Sequence, residues 1–224
     1  MVLTGVIVNV AAVLAGSMLG CLVKLPERIK ETIMHGLGLA VCLIGISMGL
    51  DTGNIIIPVA ALVVGGGLGA LICLENRLEN VGARMARLVK AKGRFTEGFL
   101  TATLVYCVGA MAVIGSLNSG LTGDHGVLFT KAILDGTTAV FFTASLGIGV
   151  AFSVIPLFIY QGGIALCAGL VAPFMSEGVL AELSATGGLL ILGIGLNMLG
   201  AAKIKVGNLL PAVIAAALIA YFAA

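Results

Sequence analysis

The chain has no tryptophan and sets only Tyr106, Tyr160 and Tyr221 beside nine phenylalanines, which argues against an aromatic cage for a quaternary ammonium ligand. Charge is equally scarce, at 10% of residues, where a soluble domain carries about 25%. Strand-period alternation is missing, which excludes a membrane barrel. The five cysteines (Cys21, Cys42, Cys73, Cys107 and Cys167) show no CxxC or Cys/His spacing. That excludes a metal cluster or a disulfide framework, and the thiols read as small buried hydrophobes. No basic stretch precedes the small residues Val13-Leu14-Ala15, so the first apolar run reads as a retained helix rather than a cleaved leader. The net charge of +2 carries no message about nucleic acid, and no cofactor motif is present.

What is present is apolar. Hydrophobic residues make up 60% of the chain and mean hydropathy is +1.20. Runs of about 18–22 residues suffice to cross the roughly 30 Å of bilayer hydrocarbon as helices. The expected fold is an all-α polytopic membrane protein, one membrane domain over 1–224, with about eight transmembrane helices at 2–23, 32–50, 55–74, 95–116, 127–146, 150–172, 183–201 and 206–223.

Basic residues order these spans. Lys24, Arg28 and Lys30 follow the first, Arg77, Arg84, Arg87, Lys90, Lys92 and Arg94 follow the third, and Lys203 and Lys205 follow the seventh. Only Lys131 of the twelve Lys and Arg lies elsewhere. Under the positive-inside rule the three basic connections are cytoplasmic and both termini face outward. Gly147-Ile148-Gly149, an uncharged join, leaves 127–146 and 150–172 open to a second reading as broken or re-entrant segments.

Between the third and fourth spans, Leu74, Leu78, Val81, Met85 and Leu88 recur at helical spacing within a polar interval, predicting a cytoplasmic amphipathic connector helix over 75–92 at the surface of anionic lipid. The spacings Gly16-xxx-Gly20, Gly45-xxx-Gly49 and Gly65-xxx-Gly69 allow close helix approach. They read first as packing within the chain and second as a homodimer seam. Leu43-Ile44-Gly45-Ile46 recurs as Leu190-Ile191-Leu192-Gly193-Ile194 in a span of opposite direction. Two inverted-topology halves, 1–74 and 150–224 around central helices in 95–149, would explain this; chance likeness of Gly-rich helices is the alternative.

Candidate site residues are the polar groups at depth. Lys131 and Asp135 lie one helical turn apart inside an apolar segment, where ionisable residues are functional-site candidates by default, with Thr137, Thr138, Thr143 and Ser145 continuing the polar path. The preceding stretch Gly115–Gly126 holds Ser116, Asn118, Ser119, Thr122, Asp124 and His125 and reads as a loop able to bind solute, or as an ordinary outer loop. Asn9, Tyr160, Gln161, Asn197 and Asn208 are further embedded polar groups, with Pro156 and Pro211 placed to break helices. One His beside one Asp makes no metal site.

The strings GLGLAVCLIGISMGL, CVGAMAVIGSLNSGLTGDH, KAILDGT, IPLFIYQGG and GGLLILGIGLNMLGAAKIKVGNLLPA together resemble the YdfK/YqgA-like family of uncharacterised bacterial inner-membrane proteins. That resemblance implies a bacterial plasma-membrane protein and transport as its activity, without a substrate or catalytic residues. The expected function is therefore a secondary transporter or channel for a small polar solute or ion, its partners being the lipid bilayer and that solute. A non-transporting scaffold is the alternative. An intramembrane enzyme with an Asp124/Asp135 dyad is disfavoured, because eleven residues separate the two and the text around the first is Leu121-Thr122-Gly123-Asp124.

Overall fold

The computed structural model describes residues 1–23, 26–91 and 94–223; Lys24, Lys92 and Ala224 lie outside these. The described residues form helices and no strand: α1 (Thr4–Leu22), α2 (Glu27–Leu50), α3 (Ile56–Leu71), α4 (Leu74–Leu88), α5 (Phe95–Cys107), α6 (Ala110–Leu121), α7 (Gly126–Leu146), α8 (Gly149–Phe152), α9 (Val154–Leu166), α10 (Ala168–Val171), α11 (Glu177–Met198), α12 (Val206–Leu209) and α13 (Pro211–Ala223). Six segments are individually long and apolar enough to cross a membrane, and eight if the bent pairs α3–α4 and α5–α6 each count as one span. Both embedded prolines sit in the first turn of a helix, α9 or α13, where the missing N–H is harmless.

The helices divide into two compact units, 1–33 with 81–107 and 111–173, and 34–80 with 108–110 and 174–224. Each takes helices from both ends of the chain, so the units do not coincide with the halves 1–74 and 150–224. In the first unit α1 lies along α7: Gly5 faces Leu128, Gly16 the Gly136 carbonyl and Gly20 the Val140 carbonyl. Both numbers rise together, so α1 and α7 run parallel. On another side of α1, Val6 clusters with Ala165 while Asn9 reaches Gln161, so α9 runs antiparallel to it.

In the second unit α2 and α11 pack antiparallel, with Gly38 at Leu199, Gly195 at Cys42 and Gly45 at Leu192. Along α3 and α13, Gly69 meets Asn208 and Gly65 meets Ala212, and Ile57 and Ala61 share a core with Val179, Ala212, Ala216 and Ala220. The glycine faces flagged by spacing are thus filled from within the chain. Small side chains line these contacts while Leu43, Val63, Ile133 and Leu170 face outward, the arrangement expected where surrounding lipid is as apolar as leucine and close approach supplies the attraction.

Asp135 and Gln161, on opposite sides of the Gly147 turn, share the partner Asn9, which sets α7 and α9 side by side against α1. Gly147, at φ +89°, supplies a turn conformation that L side chains rarely adopt.

Three boundaries differ from expectation. The run expected as the fourth span is not one straight helix but a pair, α5 and α6, bent by 61°, with Gly109 at φ +126° in the break. Val108–Ala110 group with the second unit, where Val108 fills the space beside Gly187. The expected loop at Gly115–Gly126 is mostly helix, with only Thr122–His125 non-helical, because Gly115 and Gly120 serve close approach to Leu128 and Ala165. The seventh span begins at Glu177, where the Ser176 hydroxyl accepts from Val179 N–H, so Glu182 lies inside the helix. The cysteines also depart from the buried reading: Cys21, Cys73 and Cys167 are exposed, which an apolar thiol tolerates on a lipid-facing surface.

Gly45→Val forces atoms against the Leu192 backbone and should lower stability by about 1–3 kcal/mol. Gly36, with open space around it, should accept alanine with a gain of about 0.5–1 kcal/mol. Thermal unfolding in detergent checks both, and equal responses would refute the α2–α11 contact.

Candidate functional site

Three helices of the first unit each deliver a polar side chain to one place. Helix α7 brings Lys131 and Asp135, a turn apart on one face; α1 brings Asn9 and α9 brings Gln161. Lys131 Nζ lies 2.9 Å from Asp135 Oδ1 and 2.8 Å from Oδ2. Asn9 Nδ2 donates to Asp135 Oδ2 at 3.1 Å and to Gln161 Oε1 at 3.2 Å. Relative exposures are 7% for Lys131, 5% for Asp135 and 0% for both amides.

The bonding pattern fixes both amide orientations. Turning the Asn9 amide would aim its oxygen at the Asp135 carboxylate, and turning Gln161 alone would set two donors against each other. In the resulting arrangement Asn9 Oδ1 and Gln161 Nε2 are buried without a hydrogen-bond partner, as are the Tyr106, Thr143 and Ser145 hydroxyls. Buried polar groups are nearly always satisfied. A free acceptor and a free donor beside an ion pair therefore mark a place where something polar can be held.

The profile described as "Protein of unknown function (DUF554)" matches residues 4–221. The chain belongs to the DUF554 family. It is similar to "Uncharacterized protein YqgA" of Escherichia coli (strain K12), 34% identical over 220 residues that cover 95% of this chain and 94% of that protein. It is also similar to "Uncharacterized membrane protein YdfK" of Bacillus subtilis (strain 168), 30% identical over 214 residues, 94% and 92% of the two chains. No solved structure matches. The family resemblance carried by the quoted strings thus holds over almost the whole length of this DUF554 chain.

Of the sequence candidates, Asn9, Lys131, Asp135 and Gln161 meet. Tyr160 precedes Gln161 on α9 and is half-buried. Asn118 does not join: it is half-buried on α6, and its carbonyl accepts from Thr122 Oγ1 at 2.9 Å. Asp124 opens α7, its Oδ1 accepting from Gly126 N–H at 2.9 Å, so no Asp124/Asp135 dyad forms across the intervening helix. His125 Nδ1 is 2.8 Å from Ser119 Oγ, which donates to the Val2 carbonyl at 2.8 Å. Thr137 is exposed and bonds back to Ile133, half-buried Thr138 bonds back to the Leu134 and Asp135 carbonyls, and Thr143 and Ser145 form the buried part of the expected polar path.

In the second unit the polar groups clamp backbone. Asn197 donates to the Ile204 carbonyl at 2.7 Å and accepts its N–H at 2.8 Å, while Asn208 Oδ1 accepts from Glu75 N–H at 2.9 Å. At the connector, burial pushes the Glu75 carboxyl above its ordinary value, against the opposing pull of the Gly207 and Asn208 backbone N–H groups.

Sequence reasoning passed over two residues. Tyr106 is fully buried against Phe142, ring centroids 6.4 Å apart; its signal was a tyrosine hydroxyl just before Val108-Gly109 in an apolar run. Glu182, 3% exposed, lies just before the seventh span expected at 183–201. It accepts from Thr52 Oγ1 at 2.7 Å, Gly53 N–H at 2.8 Å and Asn54 N–H at 2.9 Å, holding the turn between α2 and α3 to α11.

Glu182→Ala leaves those donors without their acceptor, and stability should fall by about 2–3 kcal/mol. A melting temperature unchanged from the parent protein would show that the turn holds itself.

Proposed function

We propose that this chain is a membrane transport protein, a secondary transporter or channel, for a small polar solute or ion, with Lys131, Asp135, Asn9 and Gln161 at its site. The observation that carries the reading is a buried ion pair flanked by an unpartnered amide oxygen and an unpartnered amide nitrogen. A pair serving only to join helices has no use for vacant groups, and every unsatisfied group in hydrocarbon is costly. The scaffold reading has one observation in its favour: Asn9 ties α7 to α1 beside the Gly16–Gly136 contact, so the pair also helps hold two helices together.

An inverted repeat supports transport by alternating access. Corresponding spans of the two proposed halves, α1 with α9, α2 with α11 and α3 with α13, are each in contact and antiparallel, as a two-fold axis in the membrane plane requires. Gly45 with Leu192 and Gly65 with Ala212 are moreover separated by the same interval in the sequence. On this reading the chain resides in a bacterial inner membrane with the basic connections in the cytoplasm and both termini outside.

Asp135→Asn preserves size but removes the charge, and should abolish flux into proteoliposomes while the protein stays monodisperse. A packing pair behaves otherwise: losing one partner costs about 3–5 kcal/mol, and the joint change Lys131→Met with Asp135→Leu then restores stability. An unstable single mutant with a stable, active double mutant would refute the site.

Orientation is checked separately. In a cysteine-free background, single cysteines at Asp51 and Glu177 should react with an impermeant maleimide from outside intact cells. Labelling of a cysteine at Arg77 from that side would reverse the assignment.

A further inference from the structure

The ion pair and its two amides narrow the class of solute. Lys131 and Asp135 neutralise each other at 2.8 Å, and the side chain that bonds to the pair from another helix is the uncharged amide of Asn9. An ion entering an electroneutral, buried site would leave one charge without a counter-charge, a state disfavoured at membrane depth. A cation would compete with Lys131 for Asp135, and an anion would compete with Asp135 for Lys131. The unpartnered groups, by contrast, are uncharged: one carbonyl oxygen on Asn9 and one amide nitrogen on Gln161. The two belong to amides already joined through Asn9 Nδ2 and Gln161 Oε1 at 3.2 Å, so acceptor and donor lie within a few bond lengths of that shared contact.

We infer that the Asn9–Gln161 junction, closed on one side by the Lys131–Asp135 pair, binds a small uncharged solute that carries a hydrogen-bond donor and an acceptor close together, of the amide or urea class. Asn9 Oδ1 accepts from the solute and Gln161 Nε2 donates to it, while the ion pair stays closed. Transport of such a solute moves no net charge and needs no proton. This inference rests on the transport reading and specifies its ligand.

The test uses the purified full-length protein in proteoliposomes, with labelled urea, rubidium and succinate as probes, alongside melting temperature in detergent with and without urea at low concentration. Urea uptake above that of empty liposomes is expected, indifferent to an imposed membrane potential or pH gradient. Gln161→Met keeps the side-chain volume but removes the donor, and should reduce the protein-mediated component by about tenfold, the factor corresponding to 1.4 kcal/mol. Thr137→Val, on the exposed side of α7, should leave it unchanged. If Gln161→Met aggregates, Asn9→Asp, which preserves the side-chain shape and adds a negative charge at the junction, should give the same loss.

Rubidium or succinate uptake that requires Asp135, with urea excluded, would overturn the inference and leave the transport reading standing. Urea-dependent stabilisation that Gln161→Met removes, without uptake of any probe, would support the ligand class and overturn transport. The absence of both uptake and stabilisation by urea would overturn the inference.

Discussion

In hydrocarbon a helix gains nothing by turning leucines toward another helix, so contact must come from backbones that fit closely. The parallel crossing of α1 and α7 is built this way, with Gly16 and Gly20 seated against carbonyls of Gly136 and Val140. That proximity is what makes Asn9 useful. An asparagine side chain is short, and only a helix at this distance lets Nδ2 reach Asp135 and Gln161 together. Bulk at either glycine would separate the helices and undo the polar centre without touching a polar residue.

Three acidic side chains illustrate three ways of keeping a carboxylate inside or beside a membrane protein. Asp135 takes a lysine from its own helix. Glu182 takes backbone N–H groups and a hydroxyl from a turn, and Glu75 takes the N–H of Gly207 at the start of α12. The second and third tie one element to another and have every reason to be static. The first differs because its neighbours Asn9 and Gln161 keep bonding capacity in reserve, and that separates a candidate site from a clamp.

Most of the fold was legible because hydropathy dictates it: runs of membrane length become helices and basic clusters divide them. The pairing Lys131–Asp135 was legible from its spacing alone. Less legible was anything that depends on what glycine does. In a soluble chain Gly115, Gly120 and Gly123 together signal a loop, but the first two are used for contact within α6 and only the last lies in a turn. The bend at Gly109 and the burial of Glu182 were obscured for related reasons. A single glycine among many does not announce a positive φ, and a glutamate near a span end reads as solvated until its partner turn is known. That Asn9 and Gln161 meet is a tertiary fact, carried by residues from opposite ends of the chain.

The placement of Lys131 and Asp135 on one helix also bears on how the protein is made. Helix α1 emerges from the ribosome before α7 but its Asn9 is uncharged, and Gln161 emerges after both, so neither amide can neutralise a charge while α7 enters the bilayer. A lone aspartate or lysine at the centre of an inserting helix costs about 2.5–3.5 kcal/mol each. Because the two charges are a single turn apart, α7 brings its own counter-ion and can partition as a nearly neutral segment without a counter-charge from any other helix. Distributing the pair over two spans would give the same finished site, but each of those spans would have to wait in the insertion machinery for the other.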